Sequence, residues 1–161
     1  KTDIRQQLAA ERQRQASRDY EDELVRTVTA QTEVEVPDSL VNEQVLGMEA
    51  EEKHGLAYRG QTWQEHLQEV GQTEQQHRDG KRAEALERVR GGLVLSEIAD
   101  RYGLTASAEE IKLRIEVLKA QYQDPAMRAE LDKPQNRNDI ASRIITDKAV
   151  AKLAELTGGK R

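Results

Sequence analysis

Residues 73–103 read TEQQHRDGKRAEALERVRGGLVLSEIADRYG. Thr73 and Gln76 have capping-box spacing, in which each side chain satisfies the backbone N–H of the other at a helix start. Ala85, Leu86, Val89, Leu93, Val94, Leu95, Ile98 and Tyr102 follow at helical intervals. Gly103 then suits the left-handed residue that ends a helix. The stretch is predicted to be one long helix, and it sets the expectation of an all-α chain.

The same grammar extends in both directions. Upstream, Ile4, Leu8, Ala16, Tyr20, Leu24 and Val28 recur every four residues, with Arg12 interrupting. A step of four drifts about 40° per repeat, so this apolar stripe winds around a helix roughly 45 Å long and is expected to touch different elements along its length. Pro37 disfavours helix at Val36 and suits the first turn of a second helix, with Asp38 complementing its N-terminus. Leu40, Val41, Val45, Leu46 and Met48 continue that helix, and the first two helices are expected to form an antiparallel hairpin with its tip near Val34–Pro37. Gly47, Gly55 and Gly60 are expected to loosen the middle of the chain.

Thr62 with Glu65 is a further capping box, opening a short helix with Trp63, Leu67 and Val70. Downstream, Leu104-Thr105-Ala106 forms a turn, and Ser107 with Glu110 is a third box. It starts a helix carrying Ile111, Ile115, Leu118 and Tyr122 on one face. Asp124-Pro125 breaks that helix, and a short segment with Met127 and Leu131 leads to Pro134. A last helix carries Ile140, Ile144, Ile145, Val150, Leu153 and Leu156, and Gly158-Gly159 releases the chain. The expected organisation is one helical domain over 1–161. Arm 1 covers roughly 1–55, a connecting region 56–72, and the long helix, arm 2 and body 73–157, with the second tip near Thr105.

Composition limits the function. The chain has 161 residues, 36% hydrophobic and 34% charged, with a net charge of −5. Too little apolar side chain is present for a sphere of this length, which predicts an elongated multi-helix domain with thin layers and several partial cores around its helical hairpins. The mixed charge argues against a polyanion partner, so no nucleic acid is expected. Zero cysteines exclude a disulfide framework, a thiolate metal site and a cysteine nucleophile. No apolar run reaches membrane-spanning length and no signal peptide is visible, so no membrane partner is expected. The first residue is Lys1, which suggests an excised fragment.

Several constellations tempt a chemical reading. Glu51/His54 and Glu74/His77 are Glu-x-x-His pairs, the i, i+3 spacing used in two-metal bundles. Gly55 beside His54, Gly80 after His77, and the polar neighbours Gln72, Gln75, Gln76 and Arg78 make both pairs read as surface residues. His66 near Glu65 and Glu69 reads as a solvated ion pair. Glu51/Glu52 and Glu109/Glu110 read as acidic helix faces with nothing to shift their pKa. No nucleophile elbow or phosphate loop is present. The sequence therefore predicts no enzyme, no metal site and no cofactor. Leu95 to Ser107 matches the first half of a helix-turn-helix, but Glu109 and Lys112 fall where the recognition helix must pack inward.

Arg88-Val89-Arg90-Gly91-Gly92-Leu93-Val94-Leu95-Ser96-Glu97-Ile98-Ala99 resembles the bacterial trigger factor family. Val34-Glu35-Val36-Pro37-Asp38-Ser39-Leu40-Val41 is similar to that family's arm-tip turn, and Gly71-Gln72-Thr73-Glu74 to the cap before its longest C-terminal helix. Ser107-Ala108-Glu109-Glu110-Ile111 and Gln121-Tyr122-Gln123-Asp124-Pro125 fall where the family has a capped start and a Tyr-acidic-Asp-Pro break. The resemblance implies the C-terminal chaperone domain, a cytoplasmic helical body whose arms form a cradle for nascent or unfolded polypeptides. It also implies that ribosome docking and prolyl isomerase activity belong to domains absent from this sequence. On that reading Leu46, Met48, Leu56, Tyr58, Trp63 and Leu67 are expected to form one client-binding patch. Tyr102, Leu118, Tyr122 and Met127 form another. A structural or adaptor protein recognising one folded partner is the alternative, and the oligomeric state is left open.

Overall fold

The computed structural model describes residues 2–158, with side chains from Arg5 onward. The expectations placed on the Ile4 side chain and on Gly159 lie outside the described residues. The chain is all-α: α1 Thr2–Gln31, α2 Asp38–Tyr58, α3 Trp63–Val70, α4 Glu74–Arg101, α5 Ala108–Lys119, α6 Pro125–Glu130 and α7 Pro134–Leu156. Each boundary has a local cause. Thr62 and Ser107 form reciprocal capping boxes with Glu65 and Glu110 at the starts of α3 and α5. Thr73 does the same for α4, its hydroxyl accepting from Gln76 N at 3.2 Å while Gln76 Oε1 accepts from Thr73 N at 2.9 Å. Prolines occupy the first turns of α6 and α7. Gly71 at φ 65° and Gly103 at φ 60° take the left-handed conformation that closes α3 and the Arg101–Leu104 turn.

The contacts divide the chain into two compact units, one of residues 1–28 with 94–161 and one of residues 29–93. In the second unit, Val41, Val45 and Met48 of α2 form a core with Ala85 of α4, flanked by Val36 and Leu86. The sequence paired α2 with the helix before it; in this unit its buried stripe meets α4, and α2 also contacts α3. Gly47 and Gly55 do not loosen the middle of the chain, because α2 runs unbroken through both and stops only before Gly60 at φ 73°. A helical glycine costs about 1 kcal/mol relative to alanine, less than the burial of Val41, Val45, Met48 and Leu56 around it contributes.

In the first unit, Leu95 and Ala99 near the end of α4 pack with Ala149 of α7, supported by Val25, Ile98, Leu104, Ile145 and Val150. After the Thr105 turn, α5 packs along α7. The ion pair between Lys148 and Glu110 at 2.7 Å supports this, with Lys148 Nζ also donating to the Thr105 carbonyl at 2.7 Å. Residues 5–20 of α1 are exposed throughout, Leu8 and Tyr20 at 49% and 45%. The winding stripe was expected to touch several elements, but burial starts only at Glu21, Leu24 and Val25. With Arg12 and Ala16 in the stripe, the first five turns carry too little apolar area to hold a partner helix.

Ala149 is fully buried between these layers. Ala149→Leu is expected to lower the unfolding free energy by about 2 kcal/mol, because extra methylenes in a filled site force neighbours off their rotamers. Urea denaturation followed by circular dichroism reads this directly.

Candidate functional site

The residues with unusual surroundings lie in the second unit, where α2, α3 and α4 meet. The apolar stripe of α2 runs Val41, Val45, Met48 and then continues through Glu49, Glu52 and Leu56 at spacings of three and four. Two carboxylates are thereby carried onto the covered face of the helix. On α4 the fully buried Ala85 is preceded at four-residue steps by Lys81 and His77. The periodicity that buries Ala85 also brings His77 inward.

Glu49 is 5% exposed and is met by Arg78, whose Nε and Nη2 donate to its two oxygens at 2.5 and 3.1 Å, and by Lys53. The Arg78 hydrogen bonds hold the Glu49 carboxyl down to about 2, against the upward push of burial, and Lys53 adds to the effect. Arg82 makes a second clamp, donating to Asn42 and to Asp38. An open hollow of about 210 Å³ lies between these groups, lined by Asn42, Val45, Leu46, Gln75, Arg78, Asp79 and Arg82.

One turn further along α2, the Glu52 carboxylate sits between two imidazoles. His66 Nε2 of α3 is 3.3 Å from Oε1, and His77 Nε2 of α4 is 3.3 Å from Oε2. Lys81 Nζ lies 3.4 Å from Oε2, yet that oxygen has no hydrogen bond, and neither has His77 Nδ1. Trp63 covers the group, stacked on His66 at 5.6 Å between ring centroids and edge-on to His77 at 5.0 Å. Its indole N–H donates to Glu74 at 3.0 Å, and the Lys53 ammonium lies 4.9 Å from its ring centroid. Among the described residues, Glu52, His66 and His77 are the side chains that could together hold a metal ion, with ligand atoms within 4.8 Å of one another.

The surface reading of these residues is corrected in part. Glu51 and His54 are exposed. His77 is only 7% exposed, and His66 and Glu52 are partly covered, because Trp63 and the meeting of three helices shield them. His66 pairs with Glu52 rather than with Glu65, which caps α3, or Glu69, which accepts from Gln61.

The ten apolar residues expected to bind clients separate by exposure. Met48, Leu56 and Leu67 are corrected to core positions at 6%, 1% and 9% exposure, leaving no surface to offer. Trp63 is partly covered and engaged by His66, His77, Lys53 and Glu74, and Leu118 is half-buried. Leu46, Tyr58, Tyr102, Tyr122 and Met127 are exposed, Tyr58 at 88%. Tyr102 carries the Lys152 ammonium 5.2 Å from its ring centroid. Leu113 and Val117, exposed on α5, were missed. They form an i, i+4 pair off the Ile111/Ile115 face, a spacing the sequence already displayed. No helix among the described residues is long and apolar enough to cross a membrane.

These features define an all-α protein with charge-clamped helix contacts and dispersed exposed apolar side chains. The family model described as bacterial trigger factor protein C-terminus matches residues 1–155, and the chain belongs to that family. It is 34% identical over 116 residues to a trigger factor of Halothermothrix orenii, covering 72% of this chain and 27% of the relative. Trigger factors of Alkaliphilus oremlandii and Clostridioides difficile are each 27% identical, over 95% and 96% of this chain and 36% of each relative. The chain thus spans about a third of the length of the curated relatives it matches. No solved structure matches the chain significantly.

Proposed function

We propose that this chain is the polypeptide-holding part of a trigger factor, binding nascent or unfolded chains in the cytoplasm and delaying their aggregation. The observation that carries this reading is the dispersal of exposed large apolar side chains through both units. Leu46, Tyr58 and Val70 lie in one; Tyr102, Leu113, Val117, Tyr122 and Met127 lie in the other. Small separated patches bind apolar segments without demanding one sequence, and several engaged at once raise the avidity. Family membership supports the same reading. A ribosome contact and any isomerase activity would belong to parts of the relatives outside this chain.

The test is suppression of aggregation of two unrelated unfolded proteins. Both should be protected, and the double variant Leu113→Ser/Val117→Ser should weaken client binding about thirtyfold, since each exposed side chain offers about 1 kcal/mol of burial. Its unfolding free energy should change by less than about 1 kcal/mol, because both residues already face solvent. A single saturable site for one folded partner, with no protection of either client, would favour the adaptor reading.

A further inference from the structure

We propose that Glu52, His66 and His77 form a binding site for a divalent transition-metal ion of the zinc class. Each of the three helices that meet there supplies one ligand: α2 the carboxylate, α3 and α4 an imidazole each. Two nitrogens and one oxygen are a common donor set for zinc with a fourth position left open. Magnesium and calcium prefer several oxygen ligands, which this cluster lacks.

The distances fit. Tetrahedral zinc with bonds of about 2.0–2.1 Å separates its ligand atoms by about 3.3 Å. His66 Nε2 stands 3.3 Å from Oε1 of Glu52, and His77 Nε2 stands 3.3 Å from the other oxygen, Oε2. With one ligand atom taken from each residue, no side of the triangle exceeds 4.8 Å, so small rotations of the carboxylate and one ring close it onto a single ion. The rings are 79° apart in plane, which lets both approach one point without stacking. Trp63 packs on both and restricts them to this orientation.

A carboxylate–imidazole ion-pair cluster accounts less well for the same atoms. His77 is more than nine-tenths buried and aims Nε2 at Glu52, yet Glu52 Oε2 gains no hydrogen bond from it or from Lys81. A buried polar atom without a hydrogen bond is costly, and a metal ion would satisfy Oε2 directly. Lys81 stands where a cation would be resisted, but its side chain is 32% exposed and can turn outward to solvent. The site is separate from the exposed apolar residues of the proposed client surface and does not depend on that reading.

The chain has three histidines, no cysteine and one tryptophan, so background binding is low and the reporter sits within the site. Zinc affinity is measured at neutral pH by competition with a chromophoric chelator, and Cu²⁺ is titrated against Trp63 fluorescence. One saturable zinc per chain, quenching of Trp63 by Cu²⁺, and a zinc-dependent rise in melting temperature are expected. His66→Ala and His77→Gln should each weaken zinc binding by roughly a hundredfold, since even outer partners of a ligand are worth about 10–100-fold. His54→Ala should leave it unchanged. Circular dichroism shows whether each variant folds, and the partly exposed His66 provides a variant that spares the buried imidazole. Absence of saturable zinc binding by the wild-type chain, or binding retained in folded His66→Ala, overturns the assignment.

Discussion

Arg78→Ala is expected to lower the unfolding free energy at neutral pH by about 3 kcal/mol, because it strands a buried carboxylate. Glu49 is the stranded group: only its Lys53 contact would remain, and Lys53 is itself 40% exposed. The magnitude follows from linkage. The Glu49 carboxyl is held at about 2 in the folded chain against 4.5 for an unperturbed glutamate, and each pKa unit is worth about 1.4 kcal/mol. A depressed folded pKa stabilises above the unfolded value. The contribution is therefore complete above about pH 4.5 and disappears as pH falls toward 2. Wild type and variant should differ most at neutral pH and converge in acid, with roughly half the gap gone by about pH 3. Urea unfolding at several pH values measures both curves; a gap that stays constant down to pH 2 would exclude Glu49 as the titrating group.

Leu56→Ala is expected to cost about 3 kcal/mol, in the range for emptying a filled leucine site. Among the described residues Leu56 is the largest fully buried side chain, and its carbonyl accepts from Arg59 N at 2.9 Å and Gln61 N at 3.0 Å where α2 ends. The cavity would therefore open where the chain turns from α2 to α3. Trp63 fluorescence should report the loss at lower urea concentration. At a temperature where the variant is still folded, its affinity for an unfolded client should match wild type, because Leu56 has no exposed surface. A client-binding defect without a stability defect would return Leu56 to the binding surface.

Much of the fold was legible in the chain because the signals are local. Thr62, Thr73 and Ser107 carry their capping partners three residues away, Pro125 and Pro134 open helices, and Gly71 and Gly103 adopt positive φ. The misreadings came from judging residues by their neighbours in sequence. Gly47 and Gly55 have unfavourable local propensity, but helix α2 is maintained by apolar contacts along its far side. His77 has the polar neighbours Gln75, Gln76 and Arg78 in sequence, while its own burial follows the Lys81–Ala85 stripe. The signal was present as a four-residue spacing and was outweighed by local polarity.

The sequence by itself determined that the chain is helical, where the capped and proline-opened helices begin, and which family it resembles, since caps, breakers and periodicity act within a few residues. Only the tertiary structure decided which helices share a core and which apolar side chains remain outside it. It moved Met48, Leu56 and Leu67 inward, left Leu113 and Val117 exposed, and brought Glu52, His66 and His77 together from three helices. The physical reason is that burial and convergence depend on the rotation of one helix against another. That rotation is set by side chains distant in sequence, which no local pattern records.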